Sequence, residues 1–103
     1  SYNEYIQNIA PGSLQIAEYL RQDDVQAAVQ LILQFSEGMS WLVQAGELLT
    51  QNDVHVNLQA EQIHEFLNEI NNGLEIQDYV LVADMFEYEI APYFESLQSV
   101  EVN

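Results

Sequence analysis

Residues 60–74 read Ala60-Glu61-Gln62-Ile63-His64-Glu65-Phe66-Leu67-Asn68-Glu69-Ile70-Asn71-Asn72-Gly73-Leu74. Ala60, Ile63, Phe66, Leu67, Ile70 and Leu74 recur every three or four positions, while Glu61, Glu65, Asn68, Glu69 and Asn72 fall between them. That period places the first set on one side of an α-helix and the second in water. The stretch predicts a helix over 58–72, opened by Asn57 as its cap. Asn72-Gly73 is the expected left-handed stop. An amphipathic helix of this kind cannot stand alone in water and needs other helices against its apolar face.

The flanking sequence supplies them. Downstream, Asp78 is placed to cap a helix over 78–98 with Tyr79, Val82, Ala83, Phe86, Ile90, Tyr93, Phe94 and Leu97 inward. Pro92 falls inside this run, lacks an N–H and crowds the Tyr88 carbonyl, so a kink is expected there. Upstream, a helix over 24–51 follows Asp23-Asp24 and carries a core stripe of Val25, Ala28, Val29, Ile32, Phe35, Ser36, Met39, Val43 and Gly46. A first helix over 2–22 contains Pro11-Gly12. Its residues 2, 9 and 16, and likewise 6, 13 and 20, keep a spacing of seven across that pair, which favours one kinked helix over two. Residues 52–57 form a connector, and Ser99–Asn103 a frayed tail. No alternating run bounded by hairpin turns suggests a strand. Short connectors between long helices predict an all-α, up-down-up-down four-helix bundle, a single domain over 1–103. Gln22-Asp23-Asp24-Val25 and Ile76-Gln77-Asp78-Tyr79 look alike, a hint of two related hairpins.

The chain has 103 residues, 49% of them hydrophobic, and seventeen Asp and Glu against a single Arg21, for a formal charge of −16. Such a surface repels phosphate backbones and anionic headgroups, which argues against nucleic acid and membranes as partners. Self-repulsion predicts a melting temperature that rises with salt and on acidification toward pH 5 to 6. With no cysteine, disulfides, thiol catalysis and cysteine zinc sites are excluded. No apolar run is long enough to span a bilayer, and no leader segment is read in the sequence. A soluble, cytoplasmic protein is the expectation.

Candidate chemistry is sparse. Glu61 and His64 form one Glu-x-x-His, whereas carboxylate-bridged metal bundles use two. The other histidine, His55, has Asn52 three residues before it. His64 falls at the flank of its helix and reads as solvated. Asp84, Glu87 and Glu89 cluster in sequence, but helical spacing sends them in different directions, with no basic residue nearby in the sequence. No calcium loop, phosphate-cradling glycine loop or nucleophile motif occurs. The reading is a protein without enzymatic activity, catalytic residues, cofactor or metal.

Two helices carry apolar residues on a second face. In the second helix these are Gly38, Trp41, Ala45 and Leu48; in the fourth, Leu81, Met85, Tyr88 and Pro92. Apolar surface beyond what a core requires marks contact sites, with Trp and Tyr as favoured anchors. These eight residues are the candidate interface of a homodimer or of a helical protein partner.

The blocks Glu37-Gly38-Met39-Ser40-Trp41-Leu42 and Asp84-Met85-Phe86-Glu87-Tyr88-Glu89-Ile90-Ala91-Pro92 resemble a family of small acidic bacterial helical proteins with no assigned activity. The resemblance runs from the Pro-Gly of the first helix to the fourth and implies no catalytic residues. In size, class, acidity and spare apolar surface, the chain is also similar to flagellar export chaperones, which hold a partner's helices in an apolar groove. No specific motif carries that second likeness.

Overall fold

The computed structural model of the chain describes residues 1–97. They form α1 (Tyr2–Arg21), α2 (Val25–Gln51), α3 (Ala60–Glu75), α4 (Tyr79–Met85), a π turn (Phe86–Ile90) and α5 (Ala91–Ser96). The last three run on without a break as one rod, so the architecture is the expected four-helix bundle, and no strand occurs among the described residues. The expected tail at Ser99–Asn103 lies outside them.

α1 is continuous through Pro11, as its unbroken spacing required. It lies between α2 on one side and the fourth rod on the other, and α3 packs on α4 while touching α2 only lightly. The molecule is therefore elongated, 45 × 21 × 20 Å.

The two similar turns are built alike. After α1, the Asp23 N–H reaches the Leu20 carbonyl and the Asp24 N–H the Tyr19 carbonyl; after α3, the Gln77 N–H reaches Leu74 and the Asp78 N–H reaches Gly73. Both are the paired closing bonds of a Schellman stop. The left-handed residues are Asp23 (φ 60°) and Gln77 (φ 58°). In each turn the next residue also opens the following helix. Asp24 accepts from the Ala27 N–H at 3.3 Å, and Asp78 from the Leu81 N–H at 3.1 Å. One residue thus ends one helix and caps the next, which makes the chain reverse within three residues. Asp53 (φ 63°) closes α2 in the same way.

The expected boundaries of α3 need correction. Its first flanking residue is Gln59, with no side-chain cap, and Asn57 instead bonds His55 Nε2 at 2.8 Å. The start of α3 is tied from across the bundle, where the Gln59 N–H donates to the Tyr93 hydroxyl at 3.1 Å. The helix also continues through Asn72-Gly73 to Glu75. Gly73 is there for proximity, because a Cβ on it would press on the Val82 side chain at 2.6 Å. The left-handed stop falls four residues later, at Gln77.

The irregularity expected at Pro92 takes the form of the π turn before it. The Ala91 N–H bonds the Phe86 carbonyl, five residues back. Pro92, the second residue of α5, would in a plain α-helix crowd the Tyr88 carbonyl. A widened turn relieves that crowding. The wider turn also brings Met85 and Ile90, and Phe86 and Ala91, to the core in pairs five apart, all buried.

At the centre, Phe86 is fully buried, its ring edge-on to Phe35 of α2 at 5.2 Å and 80°. Phe66 of α3 makes a similar contact with Tyr93 at 5.5 Å. In α2 the expected core holds with three departures: Leu42 and Gly38 are buried and Val29 is exposed. α1 packs along α2 and α3 touches it lightly, and the buried arc is centred between Ala28 and Leu42, leaving Val29 past its edge.

One carboxylate is burdened by this packing. Burial first, and then the charges of Glu89 and Glu65, raise the pKa of Glu69 above its ordinary value. A raised carboxylate pKa favours the protonated folded form, so the resulting instability is greatest above the folded pKa and fades as pH falls toward the unfolded value. The melting temperature is expected to rise between pH 7 and pH 5. Glu69→Gln should raise it at pH 7 and shrink the gain on acidification, as followed by circular dichroism. An unchanged pH profile in the variant would show that Glu69 contributes nothing to it.

Candidate protein-contact face

The acids of this chain are unevenly placed. α2 is its longest helix, 27 residues, yet holds only Glu37 and Glu47 of the seventeen acids. Its buried side runs through Ala28, Ile32, Phe35, Met39, Leu42 and Gly46. On the opposite side stand Leu33 (61% exposed), Trp41 (45%) and Leu48 (61%), set among Gln30, Gln34, Glu37 and Gln44. At 100° per residue these seven fall within one arc of about 100°. The outward face of α2 is therefore a sparsely charged strip of glutamine, leucine and tryptophan, with Glu37 the one acid in that arc, on a highly anionic molecule.

Trp41 is held in place within that strip. The rings of Tyr5 and Tyr2, from the first turn of α1, lie 5.5 and 6.5 Å from it, tilted at 48° and 38°. α1 can come this close because residue 38 is glycine, and a Cβ there would meet the Tyr5 hydroxyl and ring. Burial, reinforced by the charge of Glu37, pushes the Tyr5 hydroxyl pKa up, so the phenol stays neutral. An aromatic residue packed on one side and open on the other loses little rotamer freedom when bound, as a binding anchor requires.

The eight residues of the expected interface are thus treated differently by the fold. Trp41 and Leu48 stand exposed and Ala45 is half-buried beside them. Gly38 is buried under Tyr5 and belongs to the α1–α2 seam. On the fourth rod Leu81, Tyr88 and Pro92 are exposed, but Met85 is only 1% exposed and sits in the core. α4 is covered by α1 on one side and α3 on the other, so a wider arc is buried than a single stripe supplies. The fourth-rod stripe is broken at its middle and interspersed with Asp84, Glu87 and Glu89. Leu33 joins the α2 strip although the sequence pattern around Trp41 does not include it. The signal that finds it is the longer period, since it lies eight before Trp41 and fifteen before Leu48 on the same side.

Asp84 and Glu87 also require correction, because they do converge. Arg21, at the end of α1, bonds Asp84 at 2.9 Å and Glu87 at 3.0 and 3.2 Å. The chain's one basic side chain is spent on this clamp between α1 and the fourth rod. The cluster lies at the surface, and its carboxylates are engaged by the guanidinium. His64 is exposed, and among the described residues no group of three or more His, Asp or Glu is arranged to hold a metal ion. Among the same residues no helix is long and apolar enough to cross a membrane.

Over residues 1–100 the chain matches the family described as a domain of unknown function, DUF8042. The chain belongs to that family. No curated protein and no solved structure is similar enough to match. Membership spans the whole bundle, so the four rods, the Arg21 clamp and the outward α2 strip all lie within the matched residues.

Proposed function

We propose that this chain is a non-catalytic protein-interaction module that acts through the outward face of α2 and associates with a second copy of itself. The observation that supports the reading is the coincidence of three exposed apolar side chains with a sparsely charged face of the molecule. Bringing two bodies of charge −16 together costs least where acids are fewest. At physiological salt, charges farther off than about 8 Å are largely screened. The fourth-rod stripe, by contrast, would bring Asp84, Glu87 and Glu89 of one copy toward those of the other. The non-catalytic reading draws on the Arg21 clamp, which engages both carboxylates of the Asp84–Glu87 cluster.

Sedimentation velocity over a concentration series tests the reading. The wild-type chain should show a monomer–dimer equilibrium. Trp41→Gln should weaken dimerisation tenfold or more, and Tyr88→Gln should leave it unchanged. A wild-type chain that stays monomeric up to millimolar concentration would overturn the proposal, as would a larger effect at Tyr88 than at Trp41.

A further inference from the structure

The outward face of α2 is nearly symmetric about its own midpoint. Pairing each residue with the one whose number completes a sum of 81 gives Gln30 with Gln51, Leu33 with Leu48, Gln34 with Glu47, Glu37 with Gln44, and Ser40 with Trp41. Near the centre line leucine meets leucine and glutamine meets glutamine, and the Glu37 carboxylate meets the Gln44 amide, which can donate to it. The midpoint, between Ser40 and Trp41, also falls near the middle of the exposed arc, so the line of symmetry points straight out from the bundle.

We infer that two copies pair through α2 as an antiparallel, two-fold symmetric helix pair in this register, with Trp41 beside the axis. This rests on the self-association proposed above and adds its geometry. In a two-fold interface a residue i facing j requires j to face i, so this register makes the Leu33–Leu48 and Glu37–Gln44 contacts twice over. Competing arrangements bring acids together or lose the leucine contact. A parallel pair sets Glu37 against Glu37 and Glu47 against Glu47 of the other copy. An antiparallel pair slipped to a sum of 74 sets Glu37 against itself. A slip to 88 sets Leu33 opposite residue 55, beyond the end of α2.

The strip is also small. A helix of this length spans about 40 Å, and a band about 10 Å wide along it covers roughly 400 Å². A standard interface buries about 800 Å² per partner. The pair is accordingly smaller than a standard stable interface and is expected to be weak. The remaining charges repel across it, so salt should tighten it, the reverse of the response of a contact held by ion pairs.

The chain has no cysteine, so single cysteines report the register directly. Ser40→Cys should form a disulfide-linked dimer alone under mild oxidation. Leu33→Cys and Leu48→Cys should each crosslink poorly alone, because like positions lie about 22 Å apart at 1.5 Å per residue. Mixed together they should crosslink efficiently, within the reach of about 7 Å between Cα atoms that a disulfide demands. Glu61→Cys, on α3, gives the level from random collision. Efficient self-crosslinking of Leu33→Cys and Leu48→Cys would show a parallel pair and overturn the register while leaving self-association intact. Crosslinking of Ser40→Cys no better than Glu61→Cys, with a dimer still seen by sedimentation, would place the contact elsewhere and overturn this inference. The same result with no dimer by sedimentation would overturn both. A Kd that rises between 20 and 500 mM salt would also count against this pairing.

Discussion

Phe86→Ala should cost about 3–5 kcal/mol of folding free energy, the range for deleting a fully buried ring. For a domain of this size each kcal/mol moves the melting temperature by about 4–8 °C, so a loss of at least about 12 °C is expected. A domain of ordinary stability has about 5–15 kcal/mol in total, so the variant will be partly unfolded at 37 °C if the wild type lies at the low end. The effect is large because several parts of the bundle meet at this side chain. It sits on the π turn against α1, and its ring makes a T-shaped contact with Phe35. The cavity left behind is bounded by helices that cannot all collapse into it. Phe86→Leu keeps most of the volume and should cost much less. Urea unfolding followed at 222 nm measures both. A loss below about 1 kcal/mol for the alanine variant would mean that the site collapses freely and that Phe86 does not hold the helices together.

Gly38→Ala should be destabilising although alanine favours helices. Propensity alone predicts a gain of about 1 kcal/mol. The added methyl, however, enters space held by the Tyr5 hydroxyl and ring, and overpacking of this kind costs about 1–3 kcal/mol. Tyr5 can swing away only by giving up its contact with Trp41, so the tryptophan emission should shift in the folded variant. A second substitution provides a control. In a Tyr5→Leu background the obstruction is gone, and Gly38→Ala should become neutral or stabilising. The double-mutant cycle should therefore show a coupling above about 1 kcal/mol. Additive effects would mean that Tyr5 does not define the close approach of α1 and α2. The variant matters for the contact face as well, since a displaced Tyr5 leaves Trp41 unsupported and should weaken pairing between copies.

Much of the candidate site is legible in the sequence. Trp41 and Leu48 stand where the helical period puts them, opposite Ile32, Met39 and Gly46, and the scarcity of acids in α2 is visible in the residue order itself. For Gly38 and Met85 the period points outward, yet both are buried. In each case the deciding fact is which neighbour covers the residue. Gly38 is reached by a tyrosine thirty-three positions earlier. Met85 lies on a helix flanked on two sides and next to a π turn that changes the phase of everything after it.

The sequence by itself determined the features that depend on residues within a turn or two of each other. The seven-residue spacing of α1 carried it through Pro11-Gly12, Asp24 and Asp78 each opened a helix, and Pro92 marked where the last rod departs from α geometry. These are local because helical hydrogen bonds and caps join residues three to five apart. The tertiary structure decided whatever depends on which helices lie side by side. It brought Arg21 to Asp84 and Glu87, 63 and 66 residues away, and turned Gly73 from an expected stop into a point of close approach for Val82. It also left one face of α2 uncovered. Periodicity shows that a helix has an apolar side, but the width of the arc that is buried is set by the number and angle of its neighbours.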